Sequence, residues 1–403
     1  MENQVKFLSM GCRLNALEAE KIKAMLINAG TQDAIIVNTC AVTGEAERQS
    51  RQAIRKLSRE NPGIPLYITG CAATRAPKDY EKIPGVVAVV ANKDKFNINA
   101  YIPDYKHAVS YQKSVISSLS KAFVQIQNGC NHNCAYCIVS KLRGKNVSFQ
   151  YEKILEDVRA ATTAGFYEIV LTGVDIAGFR MDKETLPDLC AALLRDVPKL
   201  ARLRLSSLDP GVNLRPIIDL MHKNPRMLPH MHLSMQSGSD KILAAMGRRH
   251  NAQMVRELTE YADKITFSWD IICGFPGETQ ELFEETCALV RELKPIHIHV
   301  FPFSPRPGTL AATMPNQVDR AESKRRVRII NQLAKENRRR FMQSQIGQTS
   351  QVLMEENNTG RTPDDIPVKL GGAAISPKKI LDVKLTGLDE ESEYMKSSVV
   401  MIE

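Results

Sequence analysis

The 403-residue sequence has no run of about 18 apolar residues, so it offers no helix able to span a bilayer. Its N-terminus lacks the charged-then-apolar order of an export leader. These two absences predict a cytoplasmic protein with no membrane partner. Acidic residues are in deficit, with 45 Asp and Glu against 54 Lys and Arg, a net charge of +9. The deficit is uneven: residues 1–96 hold 14 basic and 10 acidic residues, 97–345 hold 34 and 25, and 346–403 hold 6 and 10. A basic body suits a polyanion such as RNA. The paired CxxC units of a structural zinc site are also missing. Nine cysteines without an export leader argue against a disulfide framework and for reduced thiols available to metal.

The chain is organised around Gly129-Cys130-Asn131-His132-Asn133-Cys134-Ala135-Tyr136-Cys137. The CxxxCxxC spacing is too compact to close a tetrahedral zinc site alone. It suits three irons of a cubane four-iron four-sulfur cluster, leaving the last iron open to a small chelating ligand. The alternative is a zinc knuckle with His132 as its remaining ligand.

Upstream, strands are predicted at residues 5–9, 34–38, 66–69 and 86–90, with helices over 16–29 and 45–59 between them. This alternation predicts an open parallel α/β sheet. Cys12, Cys40 and Cys71 each lie just past the C-terminal end of a strand, where ligands gather in such sheets. Any one of them alone reads as a small buried hydrophobe. Three at equivalent positions predict a second cluster site.

Residues 97–121, with Ser114-Val115-Ile116-Ser117-Ser118, have linker composition. Six further strands follow, at 123–127, 168–171, 202–206, 230–235, 265–272 and 296–301, with helices such as 152–163 and 278–293. They predict a partial (β/α)6 barrel, too short to close. A basic helix spans about 318–343 and carries Arg320, Lys324, Arg325, Arg326, Arg328, Lys335, Arg338, Arg339 and Arg340, either as a solvated face or as an RNA-contacting one. Short alternating runs after residue 346 predict a small β-barrel. The domains are therefore 1–100, a linker at 101–121, a core at 122–345 and a tail at 346–403. Cys190, Cys273 and Cys287 match no ligand pattern and read as packed interior thiols.

Taken together, three rim cysteines, CxxxCxxC with Tyr136 before its third cysteine, and a small β-tail resemble the radical S-adenosylmethionine (SAM) methylthiotransferases, whose last domain is called TRAM. Gly11-Cys12-Arg13-Leu14-Asn15, Asn38-Thr39-Cys40-Ala41-Val42-Thr43 and Ser50-Arg51-Gln52 resemble most the branch acting on threonylcarbamoyladenosine in tRNA. The stretches 205–210, 233–238, 270–279 and 303–309 also look like family motifs. Departures are Ser140 where the family usually has proline, Asp209 for the usual glutamate, and the acidic tail.

The resemblance implies two 4Fe-4S clusters, one on Cys130, Cys134 and Cys137 and an auxiliary one on Cys12, Cys40 and Cys71. It implies SAM contacts from Thr172, Gly173, Ser207, Asp209 and Gln236, for which strand-end turn bonding is the plainer reading. The first cluster would cleave SAM to a 5′-deoxyadenosyl radical, and the second would carry the sulfur. A methylthio group would go to carbon 2 of threonylcarbamoyladenosine at tRNA position 37, beside the anticodon. The implied partners are tRNA, an electron donor such as a flavodoxin or ferredoxin, and a sulfur donor, with the chain a monomer. The alternatives are isopentenyladenosine or a ribosomal protein as substrate, or a non-catalytic iron–sulfur protein that binds RNA or transfers electrons.

Overall fold

Strand-forming runs and amphipathic segments alternate much as the sequence predicts, in a computed structural model that describes residues 4–106, 120–372, 374–389 and 393–400. The chain divides into two compact units. One comprises Met1–Ile116, Gln125–Ser148 and Ser304–Ala312; the other comprises Ser117–Val124, Phe149–Phe303 and Thr313–Glu403.

The first unit is built on four parallel strands lying side by side in chain order: β1 (Gln4–Ser9), β2 (Asp33–Thr39), β3 (Leu66–Gly70) and β4 (Val86–Val90). Every residue of β2 from Ala34 to Thr39 is buried, as expected of a strand covered on both faces. Helix α1 (Arg13–Asn28) buries Leu14, Leu17, Ile22, Met25 and Leu26. Helix α2 (Gly44–Glu60) starts where Thr43 Oγ1 accepts the Ala46 N–H at 3.1 Å, with Glu45 and Glu47 in its first turn. A short helix, α3 (Cys71–Arg75), follows β3 directly.

The stretch read as a linker begins instead as core. Residues 98–100 form a helical turn, and Tyr101, 4 % exposed, packs its ring 5.7 Å from that of Tyr67. Ile98 and Ile102 join the same apolar cluster, so burial outweighs the polar residues around them. The Ser114–Ser118 part of that reading lies outside the described residues.

In the second unit all six expected strands form. Ala122–Gln125, Glu168–Thr172 and Arg202–Leu205 make one three-stranded sheet, and His230–Gln236, Thr266–Cys273 and His297–Pro302 make another. The Arg202–Leu205 and Glu168–Thr172 strands pair in parallel, as do those of the second sheet. Among the described residues, isolated parallel bridges such as Leu208 with Leu233 link the two sheets. The tail forms a closed five-stranded barrel around Val352, Met354, Val368, Val383, Leu385 and Met395.

The long basic helix runs from Arg320 to Ser344. Its expected basic face is narrower than the residue count implies. Arg326 is buried and donates to Glu278 and Glu322 at 2.8 Å, and Arg338 is drawn toward His297 at 3.5 Å. Internal carboxylates and ring nitrogens claim these two cations.

An acidic tail residue, Asp365, has a similar explanation. Asp365 pairs with Lys121 at 3.3 Å, and Lys121 lies 3.5 Å from buried Glu168, which Arg204 grips at 2.7 Å. Arg202 adds a contact with Glu168 at 3.7 Å and donates to the Gln351 carbonyl, while Arg204 donates to the Pro363 carbonyl. Tail acidity thus neutralises cations at the strand starts of the same unit. Burial opposes ionisation of Glu168, but Arg204 and Lys121 outweigh it and hold the carboxyl at about 2.

Candidate functional site

The first unit holds both cysteine sets. Cys12 caps α1, Cys40 follows β2, and Cys71 opens α3. They follow the C-terminal ends of three adjacent parallel strands, so the predicted convergence on one rim is present. Cys12 is exposed; Cys40 and Cys71 are buried. Burial pushes the Cys40 thiol up to about 11, and the charges of Cys12 and Cys71 add to the effect. Metal coordination removes that penalty by taking the proton's place on sulfur. The backbone makes room for it: a Cβ on Gly11, at φ +86°, would lie 2.5 Å from Cys40 Sγ. Asn92 Nδ2 donates to Cys71 Sγ at 3.5 Å and to the Leu142 carbonyl at 3.1 Å.

Cys130, Cys134 and Cys137 lie on an irregular loop and are partly exposed. The loop is held by backbone: the Cys130 N–H donates to the Gly144 carbonyl at 3.0 Å, and the Cys137 N–H to the Cys134 carbonyl at 3.0 Å. Gly129 must be glycine, since at φ +71° a Cβ would fall 1.9 Å from the Lys145 carbonyl oxygen. The N–H groups of His132 and Val139 point at Cys130 Sγ and Cys137 Sγ, each at 3.4 Å, and such donors favour thiolate. Three thiols, backbone donors to sulfur and no disulfide fit a cluster bound through three ligands.

A buried ionic network that sequence reasoning missed lies in the same unit. Arg143 clasps Glu18 through Nη1 at 2.7 Å and Nη2 at 3.0 Å, and donates to Asn15 Oδ1 at 2.7 Å and Asn128 Oδ1 at 3.2 Å. Lys95 Nζ donates to Glu18 Oε2 at 2.6 Å. Burial opposes Glu18 ionisation, but Lys95 and Arg143 prevail and hold it at about 2. Glu18 and Lys95 stand among other charged residues in the sequence, and Arg143 in the stretch after the cysteine loop, so nothing local set the three apart.

In the second unit Thr172 and Gln236 end their strands and are buried, Gly173 follows partly exposed, and Ser207 is exposed. Gln236 has φ +70°, an unusual backbone state for a non-glycine residue and one that is concentrated at functional sites. Asp209 is heavily engaged: Arg248 donates to it at 2.9 Å, Arg249 at 2.8 Å and the Gly211 N–H at 2.9 Å. Burial opposes its ionisation, and the two arginines hold its carboxyl below the usual range. Cys190, Cys273 and Cys287 are buried, as expected of packing residues.

The cysteine loop and the six strands of the second unit agree with the class that the family models give, radical SAM: residues 124–290 match the Radical SAM superfamily, and residues 4–92 match Uncharacterized protein family UPF0004. The fold is similar to that of the radical S-adenosylmethionine methyltransferase TsrM from Kitasatospora setae, with a TM-score of 0.58 at 13 % identity over 77 % of each chain. The Threonylcarbamoyladenosine tRNA methylthiotransferase MtaB of Rickettsia prowazekii is 39 % identical over 99 % of both chains, and that of Chlamydia pneumoniae 30 % over 96 % of both. The chain belongs to this methylthiotransferase family. A tRNA-2-methylthio-N(6)-dimethylallyladenosine synthase of Bartonella henselae is 31 % identical over 89 % of this chain and 88 % of its own. Radical SAM chemistry uses SAM and a 4Fe-4S cluster. Among the described residues no helix is long and apolar enough to cross a membrane.

Proposed function

We propose that this enzyme adds a methylthio group to carbon 2 of threonylcarbamoyladenosine at position 37 of tRNA. The observation that carries this reading is the presence of two three-cysteine sets in one compact unit of a chain 39 % identical to a relative named for that reaction. Cys130, Cys134 and Cys137 hold the SAM-cleaving cluster, and Cys12, Cys40 and Cys71 the auxiliary one. When bound, the clusters would supply the electron and the sulfur, and SAM the radical precursor, that no side chain provides. The protein's own part is to hold thiolates, orient SAM and exclude water.

Thr172, Gly173 and Ser207 meet SAM, together with the strained Gln236; Asp209 acts there through the arginines that hold it. Exposed Arg320, Lys324, Arg328, Arg339 and Arg340 offer cations to tRNA phosphates. The working division is a domain at 1–100, a linker at 101–121, a core at 122–345 and a TRAM-like tail at 346–403. The enzyme works in the cytoplasm as a monomer, with an external electron donor of the flavodoxin or ferredoxin kind and a sulfur donor.

Mass spectrometry of tRNA nucleosides from a deletion strain tests the reading. Threonylcarbamoyladenosine should lose its methylthio form, and complementation should restore it. Loss of the methylthio form of isopentenyladenosine instead would assign the chain to the other tRNA branch.

A further inference from the structure

The Glu18, Lys95 and Arg143 side chains are 0 %, 1 % and 3 % exposed, respectively. One carboxylate faces two cations, so the buried network carries a surplus positive charge. Such a charge is costly in an apolar interior unless a counterion completes it. Burial is the largest influence on both cations and lowers Lys95, with Glu18 opposing it; beyond the network the next groups acting on them are Cys71 for both and Cys12 for Arg143. Neutral thiols do not balance a cation. A cubane held by three thiolates does, because it is a net anion, and one-electron reduction makes it more negative.

The surroundings are built for this. Asn15 receives Arg143 on Oδ1 and donates from Nδ2 to the Met10 and Thr39 carbonyls, beside Cys12 and Cys40 in the chain. Asn92 joins Cys71 Sγ to Leu142, the residue before Arg143. The Gly144 carbonyl, immediately after Arg143, anchors Cys130.

We propose that the Glu18–Lys95–Arg143 network is the countercharge of the auxiliary cluster and sets its reduction potential. This rests on the reading that Cys12, Cys40 and Cys71 hold that cluster. Lys95 and Arg143 favour the reduced state, and Glu18 tempers them. Arg143 also ties the auxiliary site to the segment that follows the SAM-cleaving cysteines.

The test uses the full chain with Cys130, Cys134 and Cys137 changed to Ala, reconstituted anaerobically so that only the auxiliary cluster gives a signal. Its potential is followed by electron paramagnetic resonance during dithionite titration, alone and with Lys95→Met or Glu18→Gln. Lys95→Met keeps the Arg143–Glu18 clasp and should shift the reduction equilibrium about tenfold toward the oxidised state, about 59 mV for one electron. Glu18→Gln should shift it the opposite way. Opposed shifts support electrostatic control, since loosened packing has no reason to follow the sign of the charge removed. Potentials that stay put, or move in one direction for both variants, overturn the proposal while leaving the cluster reading intact. A background chain that binds no iron overturns both. Should Glu18→Gln fail to fold, the sign of the Lys95→Met shift decides alone.

Discussion

Two ionic clusters built around a buried carboxylate, Glu18 in one unit and Glu168 in the other, look alike but differ in their charge. In the second unit Lys121, Arg202, Arg204 and Arg361 meet Glu168, Asp364, Asp365 and Glu355, and the signs cancel. Asp364 is lifted by burial to about 6, with Arg204 opposing, so it remains mostly ionised at neutral pH. In the first unit two cations share one carboxylate, close to cysteines. The balanced cluster is complete in the bare polypeptide and ties strand starts to the tail barrel. The unbalanced one is incomplete until an anion arrives. Counting charge inside a buried cluster therefore helps separate a structural network from one built around a ligand.

The sharpest contrast is chemical. Cys134→Ala should abolish 5′-deoxyadenosine formation from SAM, measured by chromatography, because two thiolates are a poor ligand set for an open cubane. The second unit's unfolding should not move. Retained cleavage would break the assignment of the loop.

Next in size is Glu168→Ala. It strips the balanced cluster of its central anion and leaves Lys121, Arg202 and Arg204 short of counter-charge, at a cost of about 3–5 kcal/mol. Chemical denaturation should show the same loss with and without reconstituted iron. A loss seen only in iron-loaded protein would erase the distinction between the two clusters.

Acid should act on the second unit in two steps. His230 is held at about 3, chiefly by burial and then by Arg204, with His297 and His250 at about 4. Below about pH 6.5 the unfolded chain takes up protons on these histidines that the folded chain refuses, so stability falls until their folded values are reached. Glu168 adds a second fall, as its stabilisation is full above about 4.5 and vanishes as pH drops through about 2. His230→Asn should weaken the first step by up to a few kcal/mol, read from denaturation midpoints at pH 7 and pH 5. An unaltered difference between those midpoints would show that His230 is not the neutral buried group described.

The smallest effect is expected for Lys95→Met in iron-free protein. The variant removes a surplus charge while keeping the Arg143–Glu18 clasp, so stability should change by less than about 1 kcal/mol. A large loss without iron would mean that the bare network is already complete.

Much of this was legible in the sequence. All four strands of the first sheet and all six of the second unit were marked in the sequence, most plainly Asp33–Thr39, Leu66–Gly70 and Glu168–Thr172, whose apolar runs are buried on both faces; outer strands such as Val86–Val90 and His297–Pro302 are only partly buried. The rim position of Cys12, Cys40 and Cys71 followed from strand ends alone. What escaped depended on partners distant in the chain: Glu18 meets Lys95 across 77 residues and Arg143 across 125. No local pattern signals such a meeting. Arg326 was misread as surface because helical charge spacing does not reveal which cation finds an internal carboxylate. Tyr101 was hidden by the polar composition around it.

The first unit is also discontinuous. Ser304 Oγ accepts the Gly44 N–H at 3.1 Å, Arg306 pairs with Glu47 at 2.7 Å, and the Ala311 N–H donates to the Ala135 carbonyl at 2.8 Å. During synthesis, then, the start of α2 waits for a partner made 260 residues later (about ten seconds or more at typical ribosome speeds). The loop that carries Cys130, Cys134 and Cys137 likewise gains its Ala135–Ala311 bond only after most of the chain has left the ribosome. A truncated N-terminal fragment would lack these partners of Gly44, Glu47 and Ala135.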